Sequence, residues 1–277
     1  MFRRLTLAAT LLATTASAAP VSAADDPLDQ LLPPDDKPPA KRVDPTFKVA
    51  SLNILGSQHT SGSDHDRTVR TARLVRKRHV AVAGFQEVQD DQHRWLKERL
   101  PSYRIWPGTR YGNQGMRLQI AWRKKRFDLL DHGSITTTFS YQQRPIPWVR
   151  LKDDQTGRRF SVIDVHNSPD YQEGDRDAAT SEQIDLYQRL RDRGPVVIMG
   201  DANERGEWFC KVSGATDARA ANGGRHTGSC RPPNPAYVDW LMGGGGFDWR
   251  HYRARETNVS DHLLHTSVLR WVKPKRR

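Results

Sequence analysis

The sequence is poor in cysteine and has no long apolar run in its main part, and each scarcity excludes a class of protein. The 277 residues include two cysteines, Cys210 and Cys230, whereas a structural zinc site normally uses four Cys or His ligands at close spacing. Beyond the amino terminus, no segment approaches the ~20 consecutive apolar residues that a transmembrane helix needs. The sequence also contains no internal repeat. We therefore expect a globular protein without a transmembrane segment.

The first 45 residues differ in composition from the remainder. Residues 1–23 place Arg3 and Arg4 before a short apolar stretch that ends in small residues, which is the pattern of a secretory signal peptide, with a retained anchor as the alternative. Residues 24–45 are rich in Pro and Asp and cannot bury enough apolar surface to offset the entropy of ordering them. The sequence thus predicts a secreted protein with a disordered leader and one domain over residues 46–277.

The charge is strongly positive. The chain has 44 Lys and Arg against 32 Asp and Glu, for a net charge of +12. Such a chain favours polyanions; nucleic acid fits, and anionic membranes or plain solubility fit as well. The basic residues cluster at positions 76–78, 123–126, 158–159 and 189–193. These clusters form either one nucleic-acid groove or ordinary solvated faces.

The two cysteines form an even count in a chain that we expect to be exported. Disulfides persist in oxidising compartments, so the sequence predicts a Cys210–Cys230 bridge. Closing a loop of about this size would add ~3 kcal/mol in the chain-entropy model.

Polar side chains recur where predicted apolar strands end. Strands are predicted over residues 47–54, 80–88 and 195–199, in a hairpin around residues 154–157, and near residues 236–242. Ordinary strand ends prefer Gly, Pro, Ser and Lys, so a recurrence of other polar types suggests one shared cleft. The candidates are Asn53, Glu87, His166, Asp201, Asn203, Asp239, Asp261 and His262.

These residue types suit a hard divalent cation. Mg²⁺ prefers oxygen ligands and keeps several waters, so one or two carboxylates with an amide oxygen are enough. Glu87 and Asn53 provide that set, and Asp261 is a further oxygen donor. We expect Mg²⁺, with Mn²⁺ or Ca²⁺ as alternatives.

The same residues suit hydrolysis of a phosphodiester, which needs a nucleophilic water, a base and charge relief on the phosphoryl oxygens. His262 supported by Asp239 is a suitable base, because the carboxylate fixes the tautomer of the imidazole. Asp201 could orient the water, while Asn203 donates to the phosphoryl oxygens. His166 could hydrogen-bond the phosphate or assist the leaving group. Taken singly, each residue also has a purely structural explanation as a turn, cap or core residue.

Taken together, the motifs resemble the endonuclease/exonuclease/phosphatase superfamily with the deoxyribonuclease I-like fold. The resemblance covers about residues 46 to 272. It rests on Leu52-Asn53, Phe85-Gln86-Glu87, His166-Asn167-Ser168, Gly200-Asp201-Ala202-Asn203, Val238-Asp239-Trp240 and Ser260-Asp261-His262. The resemblance implies a four-layered α/β sandwich, in which two packed, mostly antiparallel or mixed β-sheets are flanked by helices. It also implies Mg²⁺-dependent phosphoester cleavage with the residue roles given above.

One departure from the family concerns His166, which resembles the deoxyribonuclease and sphingomyelinase branches rather than the abasic-site endonucleases. In deoxyribonucleases a glutamate on a central strand supports this histidine. The corresponding stretch, residues 115–122, has no acidic residue. Gln119 is the candidate to replace that glutamate.

Three functions remain open at the level of sequence. The first is a secreted, metal-dependent phosphodiesterase, acting as a nuclease on nucleic acid. The second is a secreted phosphatase or a sphingomyelinase-like lipid phosphodiesterase, with a lipid or small phosphoester as substrate. The third is a non-catalytic binding module, which has no need of an Asp-supported histidine beside a metal site. We expect a monomeric enzyme, a phosphoric ester hydrolase.

Overall fold

The computed structural model describes residues 46–169 and 171–272. The predicted signal peptide and leader lie outside the described residues. None of the helices within the described residues has the length and apolarity needed to cross a bilayer.

Two six-stranded sheets form the centre of the molecule. The first sheet has the order β13-β14-β1-β2-β4-β3 and consists of β1 (Thr46–Asn53), β2 (Val82–Gln86), β3 (Tyr103–Trp106), β4 (Leu118–Arg123), β13 (Phe247–Arg255) and β14 (Leu264–Trp271). The second has the order β5-β6-β7-β8-β12-β9 and consists of β5 (Phe127–Phe139), β6 (Gln142–Asp153), β7 (Arg159–His166), β8 (Val196–Asp201), β9 (Arg219–Ala220) and β12 (Asp239–Gly244).

Helices cover the outer face of each sheet. They are α1 (Asp64–Lys77), α2 (Asp90–Arg99), α3 (Gly112–Met116), α4 (Glu173–Arg191) and α5 (Gly206–Ala215), and a small hairpin joins β10 (Arg225–Thr227) to β11 (Ser229–Arg231). One apolar cluster combines residues of both sheets, such as Val49 and Val162. A second cluster joins the first sheet to α1 and α2, and a third joins the other sheet to α4 and α5. The predicted four-layered α/β sandwich is confirmed.

Two parallel strand pairs decide where the polar side chains meet. β1 runs parallel to β2, and β7 runs parallel to β8, whereas the other pairs are antiparallel. Asn53 is therefore opposite Gln86, and His166 is opposite Asp201. On the other side of β8, Asp201 is opposite Asp239. The carboxyl ends of four strands thus lie at the same edge of the sandwich.

Gly200 shapes the strand that carries Asp201. Its φ is +139°, a conformation that residues with a side chain rarely adopt. A Cβ at this position would collide with the backbone of Val165 on β7. The close approach of β8 to β7 therefore requires glycine immediately before the aspartate.

A buried polar contact links the sheets beneath the cleft. Gln86 Nε2 donates to Asp164 Oδ1 at 2.6 Å and to Ser51 Oγ at 3.3 Å. Burial raises the pKa of Asp164 well above its ordinary value, which favours the neutral form of this carboxyl between the sheets. A Cβ at Gly84 would collide with it.

The Cys210–Cys230 disulfide is confirmed, and it connects α5 to β11 with a Cα–Cα distance of 5.6 Å. The adjacent Trp208 and Phe209 are core residues. The sequence pattern missed β13 and α5. The Gly run at residues 243–246 begins inside β12, and Gly245 and Gly246 turn the chain into β13 with φ of +82° and +125°.

Candidate active site

A cleft of about 600 Å³ opens at the edge where β1, β2, β7 and β8 end. Its lining includes five of the eight candidate residues, namely Glu87, His166, Asp201, Asn203 and His262. Asn53 and Asp239 contact these residues from beneath. The predicted convergence therefore brings seven of the eight side chains together.

Asp201 lies at the centre of this group and is 1% exposed. Its Oδ2 accepts a hydrogen bond from Asn53 Nδ2 at 3.1 Å, and it lies 3.5 Å from His166 Nε2 and 3.7 Å from His262 Nε2. Its Oδ1 accepts the backbone N–H of Asn203 at 2.9 Å. Both histidines thus face one carboxylate, which leaves room for a reacting group between them.

His262 and Asp239 form a hydrogen-bonded pair. Nδ1 of His262 lies 2.9 Å from Asp239 Oδ2, and the backbone N–H of His262 donates to Ser260 Oγ at 3.1 Å. The carboxylate therefore holds the proton on Nδ1 and leaves Nε2 free to accept a proton at the side that faces Asp201. This is the orientation that a general base requires.

Burial lowers the pKa of His262, but the hydrogen bond and charge of Asp239, with the charges of Asp201 and Asp261, outweigh it and raise the pKa to about 9. Burial, together with the nearby charge of Asp239, also raises the pKa of Asp201 to about 7, against the opposing effect of His262. In the metal-free protein the imidazole of His262 is therefore protonated below about pH 9, and we expect a bound cation to lower its pKa so that Nε2 can accept a proton.

A second histidine lies behind Asp239. His265 is fully buried, and its Nε2 lies 3.8 Å from Asp239 Oδ2. Its Nδ1 is 2.7 Å from the hydroxyl of Tyr252, which can donate to it. Asp239 is therefore held between two imidazole rings, and the sequence analysis did not identify the inner one.

Glu87 follows β2 in an uncommon backbone conformation, with φ of +63°. For a residue other than glycine this costs about 1–3 kcal/mol, and such strain concentrates at functional sites. Its Oε1 accepts Asn53 Nδ2 at 2.8 Å and its Oε2 accepts the backbone N–H of Gly56 at 3.0 Å. The strained turn directs the carboxylate into the cleft.

The donor set fits a divalent cation. The carboxylates of Glu87, Asp201 and Asp239 lie near one another, and ligand atoms of Asp201, Asp239 and His262 are within 4.8 Å of each other. Asp239 Oδ1 is buried and has no hydrogen-bond partner in the described part of the chain. Oxygen ligands are what a hard cation requires. Asp201 and Asp239 can therefore hold such an ion together with His262, and Glu87 lies beside this group because Asn53 donates to both Glu87 and Asp201.

Two of the predicted metal ligands, Asn53 and Asp261, have surroundings that differ from those of Glu87. The amide nitrogen of Asn53 faces both Glu87 and Asp201, while its oxygen accepts the N–H of Leu55 at 3.1 Å, so this side chain holds two carboxylates together. Asp261 is exposed and accepts a hydrogen bond from Ser260 Oγ at 3.2 Å. Direct ligation by these two residues stays a prediction.

His166 is buried at the floor of the cleft, and its surroundings correct the interpretation of Gln119. The side chain of Gln119 hydrogen-bonds the backbone of Gly108 and Met116 instead of His166, because it lies on the face of β4 opposite Leu118 and Ile120, which pack toward the second sheet. The neighbour of His166 Nδ1 is Arg144 Nη1, at 3.5 Å. Burial and the charge of Arg144 lower the pKa of His166 well below its ordinary value, so this imidazole is neutral.

Several cleft residues were missed by the sequence analysis. Arg144 and Arg117 are both buried, and His59 Nε2 lies 3.8 Å from Glu87 Oε2. Arg144 carried a usable signal, because it precedes Ile146 by two residues and shares its buried strand face. Arg117 and His59 carried none, since they follow α3 and end a 3₁₀ turn.

The surface clusters of basic residues do not form a groove at this site. Residues 76–78 precede β2, residues 123–126 follow β4, residues 158–159 begin β7, and residues 189–193 precede β8. Each cluster therefore lies at the end of the sandwich opposite the cleft. Within the described ranges, Arg117 and Arg144 are the Arg or Lys residues that line it.

Comparison of the sequence with known protein families agrees with the assignment drawn from this geometry. Residues 50–267 match the sequence pattern of the Endonuclease/Exonuclease/phosphatase family. The chain belongs to this family. Members of the Endonuclease/Exonuclease/phosphatase family are phosphoric ester hydrolases that depend on a divalent metal ion. None of the curated proteins compared with the chain matches it.

Solved structures with the same fold include members with different substrates. The human Nocturnin catalytic domain with bound sulfate has a TM-score of 0.66 at 17% identity, covering 83% of this chain and 96% of that one. Danio rerio TDP2 in complex with a single-strand DNA product has a TM-score of 0.64 at 17% identity, covering 82% and 99%. A Bacteroides thetaiotaomicron mannosyl-6-phosphatase has a TM-score of 0.62 at 18% identity, covering 80% and 99%. At these identities the likeness shows the fold.

Proposed function

We propose that this protein is a secreted, divalent-metal-dependent phosphodiesterase that acts as a nuclease. The observation that carries the proposal is the placement of His262 between two aspartates, 2.9 Å from Asp239 and 3.7 Å from Asp201, beside the carboxylate of Glu87. A histidine fixed by one carboxylate and directed at another fits the activation of water more closely than passive binding.

In the proposed reaction, Nε2 of His262 takes a proton from the attacking water while Asp239 stabilises the imidazolium. The water oxygen bonds to phosphorus as the bond from phosphorus to the leaving oxygen breaks; the leaving oxygen takes a proton from solvent, and His262 later returns its proton to solvent. Asp201 orients the water, and Asn203 lies beside Asp201 at the cleft wall. Neutral His166 donates a hydrogen bond from Nε2 toward the phosphate. A cation such as Mg²⁺, held by Glu87 with Asn53 and Asp261 as further predicted ligands, supplies charge relief on the phosphoryl oxygens when bound.

The substrate proposal combines the cleft with its surroundings. A fold relative crystallised with a single-strand DNA product supports nucleic acid. The basic clusters, however, lie at the opposite end of the sandwich, so the described residues form no extended basic track at the cleft of the kind that long duplexes use. We therefore propose short or single-stranded segments as the preferred nucleic acid.

A small phosphoester is the second candidate substrate. The amide side chains of Gln58, Gln89, Gln114 and Gln142 line the cleft and could hydrogen-bond sugar hydroxyls. The mannosyl-6-phosphatase with this fold supports the same possibility.

Export is supported by the disulfide, because such bonds persist in oxidising compartments. We also propose a monomer; size-exclusion chromatography with light scattering tests this.

A substrate panel tests the function. We would incubate the mature protein with plasmid DNA, RNA, bis-p-nitrophenyl phosphate, p-nitrophenyl phosphate and sphingomyelin, with Mg²⁺ or with EDTA. We expect EDTA-sensitive diester cleavage that is lost in Asp201→Ala and His262→Ala. Asp185→Ala, at an exposed position of α4, is the matched control and should retain activity.

Each outcome of the substrate panel decides between two of the candidate functions. Unchanged turnover in Asp201→Ala or His262→Ala would refute the catalytic assignment. Cleavage of the monoester alone would replace the nuclease by a phosphatase, and cleavage of sphingomyelin alone would replace it by a lipid phosphodiesterase.

A further inference from the structure

Two arginines in the cleft are buried without an ion pair. Arg117 and Arg144 are each 8% exposed, and neither guanidinium lies within ion-pair distance of a carboxylate in the described part of the chain. Buried arginines are normally paired, because an isolated buried charge is costly. These two require an explanation.

Arg144 is held in place by an aromatic ring and by the candidate active site. Its guanidinium lies over the ring of Phe139, with Cζ 3.2 Å from the ring centroid, and Nη1 is 3.5 Å from His166 Nδ1. Its buried Nε has no hydrogen-bond partner among the described residues. The guanidinium of Arg144 is thus fixed in orientation, while at least one of its N–H donors has no acceptor among the described residues.

Arg117 faces the same space from the first sheet. It follows α3, and its backbone oxygen accepts the N–H of Val88, which anchors it beside Glu87. Its Nη1 is buried and has no partner in the described ranges. Together with Arg144 it gives the cleft two sets of guanidinium donors on one side of the carboxylates.

The pair is electrostatically costly. Burial and, to a smaller extent, the charge of Arg117 lower the pKa of Arg144 to about 9, against the opposing charge of Glu87. Like charges are thus held close together in a desolvated place. An anion bound between them would offset both the repulsion and the desolvation.

Resting on the proposed function, we propose that Arg117 and Arg144 form a second phosphate subsite, which binds a phosphate group of the substrate adjacent to the one that is hydrolysed. Planar guanidinium forks match phosphate oxygens and bind them with two parallel hydrogen bonds. The imidazole of His166 separates Arg144 from Asp201, so the subsite neighbours the reacting position without coinciding with it. The preferred substrate therefore carries at least two phosphate groups, the second being either a terminal monoester or the next internal diester.

The first test measures binding without catalysis. In EDTA, pyrophosphate should raise the melting temperature of the wild-type protein, and this shift should be lost in Arg117→Gln and Arg144→Gln. Arg104→Gln, at an exposed position of β3, removes the same charge outside the cleft and should retain the shift. Because an unpaired buried charge destabilises the fold, Arg144→Met should melt at or above the wild-type temperature. A lower melting temperature would assign the arginine a structural role and overturn the proposal.

The second test compares substrates that differ in one phosphate. With Mg²⁺, we would measure kcat/KM for TpT, pTpT, TpTpT and bis-p-nitrophenyl phosphate. Loss of a charge-assisted contact should lower kcat/KM about 10- to 100-fold in the arginine variants. The loss should appear with pTpT if the second phosphate is a terminal monoester, and with TpTpT if it is the next internal diester. The values for TpT and bis-p-nitrophenyl phosphate should change less than about threefold.

The two tests distinguish failure of the subsite from failure of the proposed function. Equal losses on all four substrates would mean that the arginines contact the reacting phosphate, which overturns the proposal. A pyrophosphate shift that survives both substitutions also overturns it. If the arginine-dependent shift is present but wild-type protein cleaves no diester, the subsite stands and the phosphodiesterase assignment fails.

Discussion

The substitution Asp239→Asn tests the base most directly, because it preserves the size of the side chain and removes its charge. Asp239 is 4% exposed, and its Oδ2 lies 2.9 Å from His262 Nδ1. The amide can present its NH₂ to Nδ1, which would place the ring proton on Nε2. His262 then cannot accept a proton from water at the position facing Asp201.

The expected loss is large. General acid–base catalysis contributes about 10²–10⁴ in rate, and the corresponding Asp→Asn change in Ser-His-Asp hydrolases lowers kcat by about 10⁴. We therefore expect kcat to fall by about 10²–10⁴. Removing the charge of Asp239 relieves its repulsion with Asp201 but also removes the ion pair that raises the pKa of His262. The two effects oppose each other, so the melting temperature of metal-free Asp239→Asn should stay close to that of wild type while the rate falls.

The assay is the initial rate on bis-p-nitrophenyl phosphate, with Mg²⁺ titrated to saturation and the pH varied. Saturation separates the two roles of Asp239, because loss of a metal ligand is overcome by added metal whereas loss of the base is not. Asp248→Asn, in an exposed ion pair with Arg250, is the control. A fall of less than about fivefold at saturating Mg²⁺ would refute the assignment of His262 and Asp239 as the base.

Three further predictions concern stability and salt. In metal-free protein, the raised pKa values of Asp201 and His262 mean that the folded state binds more protons than the unfolded state. The contribution of Asp201 is lost as pH rises from about 4 to 7, and that of His262 from about 6.5 to 9. Because the lowered pKa of His166 acts in the opposite direction below about pH 6.5, the melting temperature should fall between about pH 7 and pH 9 in differential scanning fluorimetry, and less steeply in His262→Gln; a profile that rises over this interval would contradict the linkage. Replacing both Cys210 and Cys230 by Ser should lower the free energy of unfolding by about 3 kcal/mol in urea titrations, because the bridge closes a loop with a separation of 20 residues, and denatured, unreduced wild type should contain no free thiol. Finally, with two arginines in the cleft, the slope of log kcat/KM against log salt for single-stranded DNA should be no steeper than about −1.4, and a slope near −5 would show that the distant basic clusters hold substrate.

The strand ends were predictable because apolar alternation is a local property. The run before Asp201 and the hairpin before His166 could be located from residue type alone. Elements with weaker patterns were missed. β13 has exposed or half-buried residues throughout, so no apolar run marks it, and α5 contains two glycines within a short helix.

The sequence by itself determined the family, the fold class, the disulfide and the types of polar residue available at each strand end, because motif order and hydrophobic periodicity are written along the chain. Only the tertiary structure decided what each side chain contacts. The parallel pairing of β7 with β8 places His166 opposite Asp201, and the antiparallel pairing of β6 with β7 puts Arg144, instead of Gln119, beside that histidine. The same topology places the basic clusters far from the cleft. The sequence gives the charge of each loop, but only the direction of the strands decides at which end of the sandwich that loop lies.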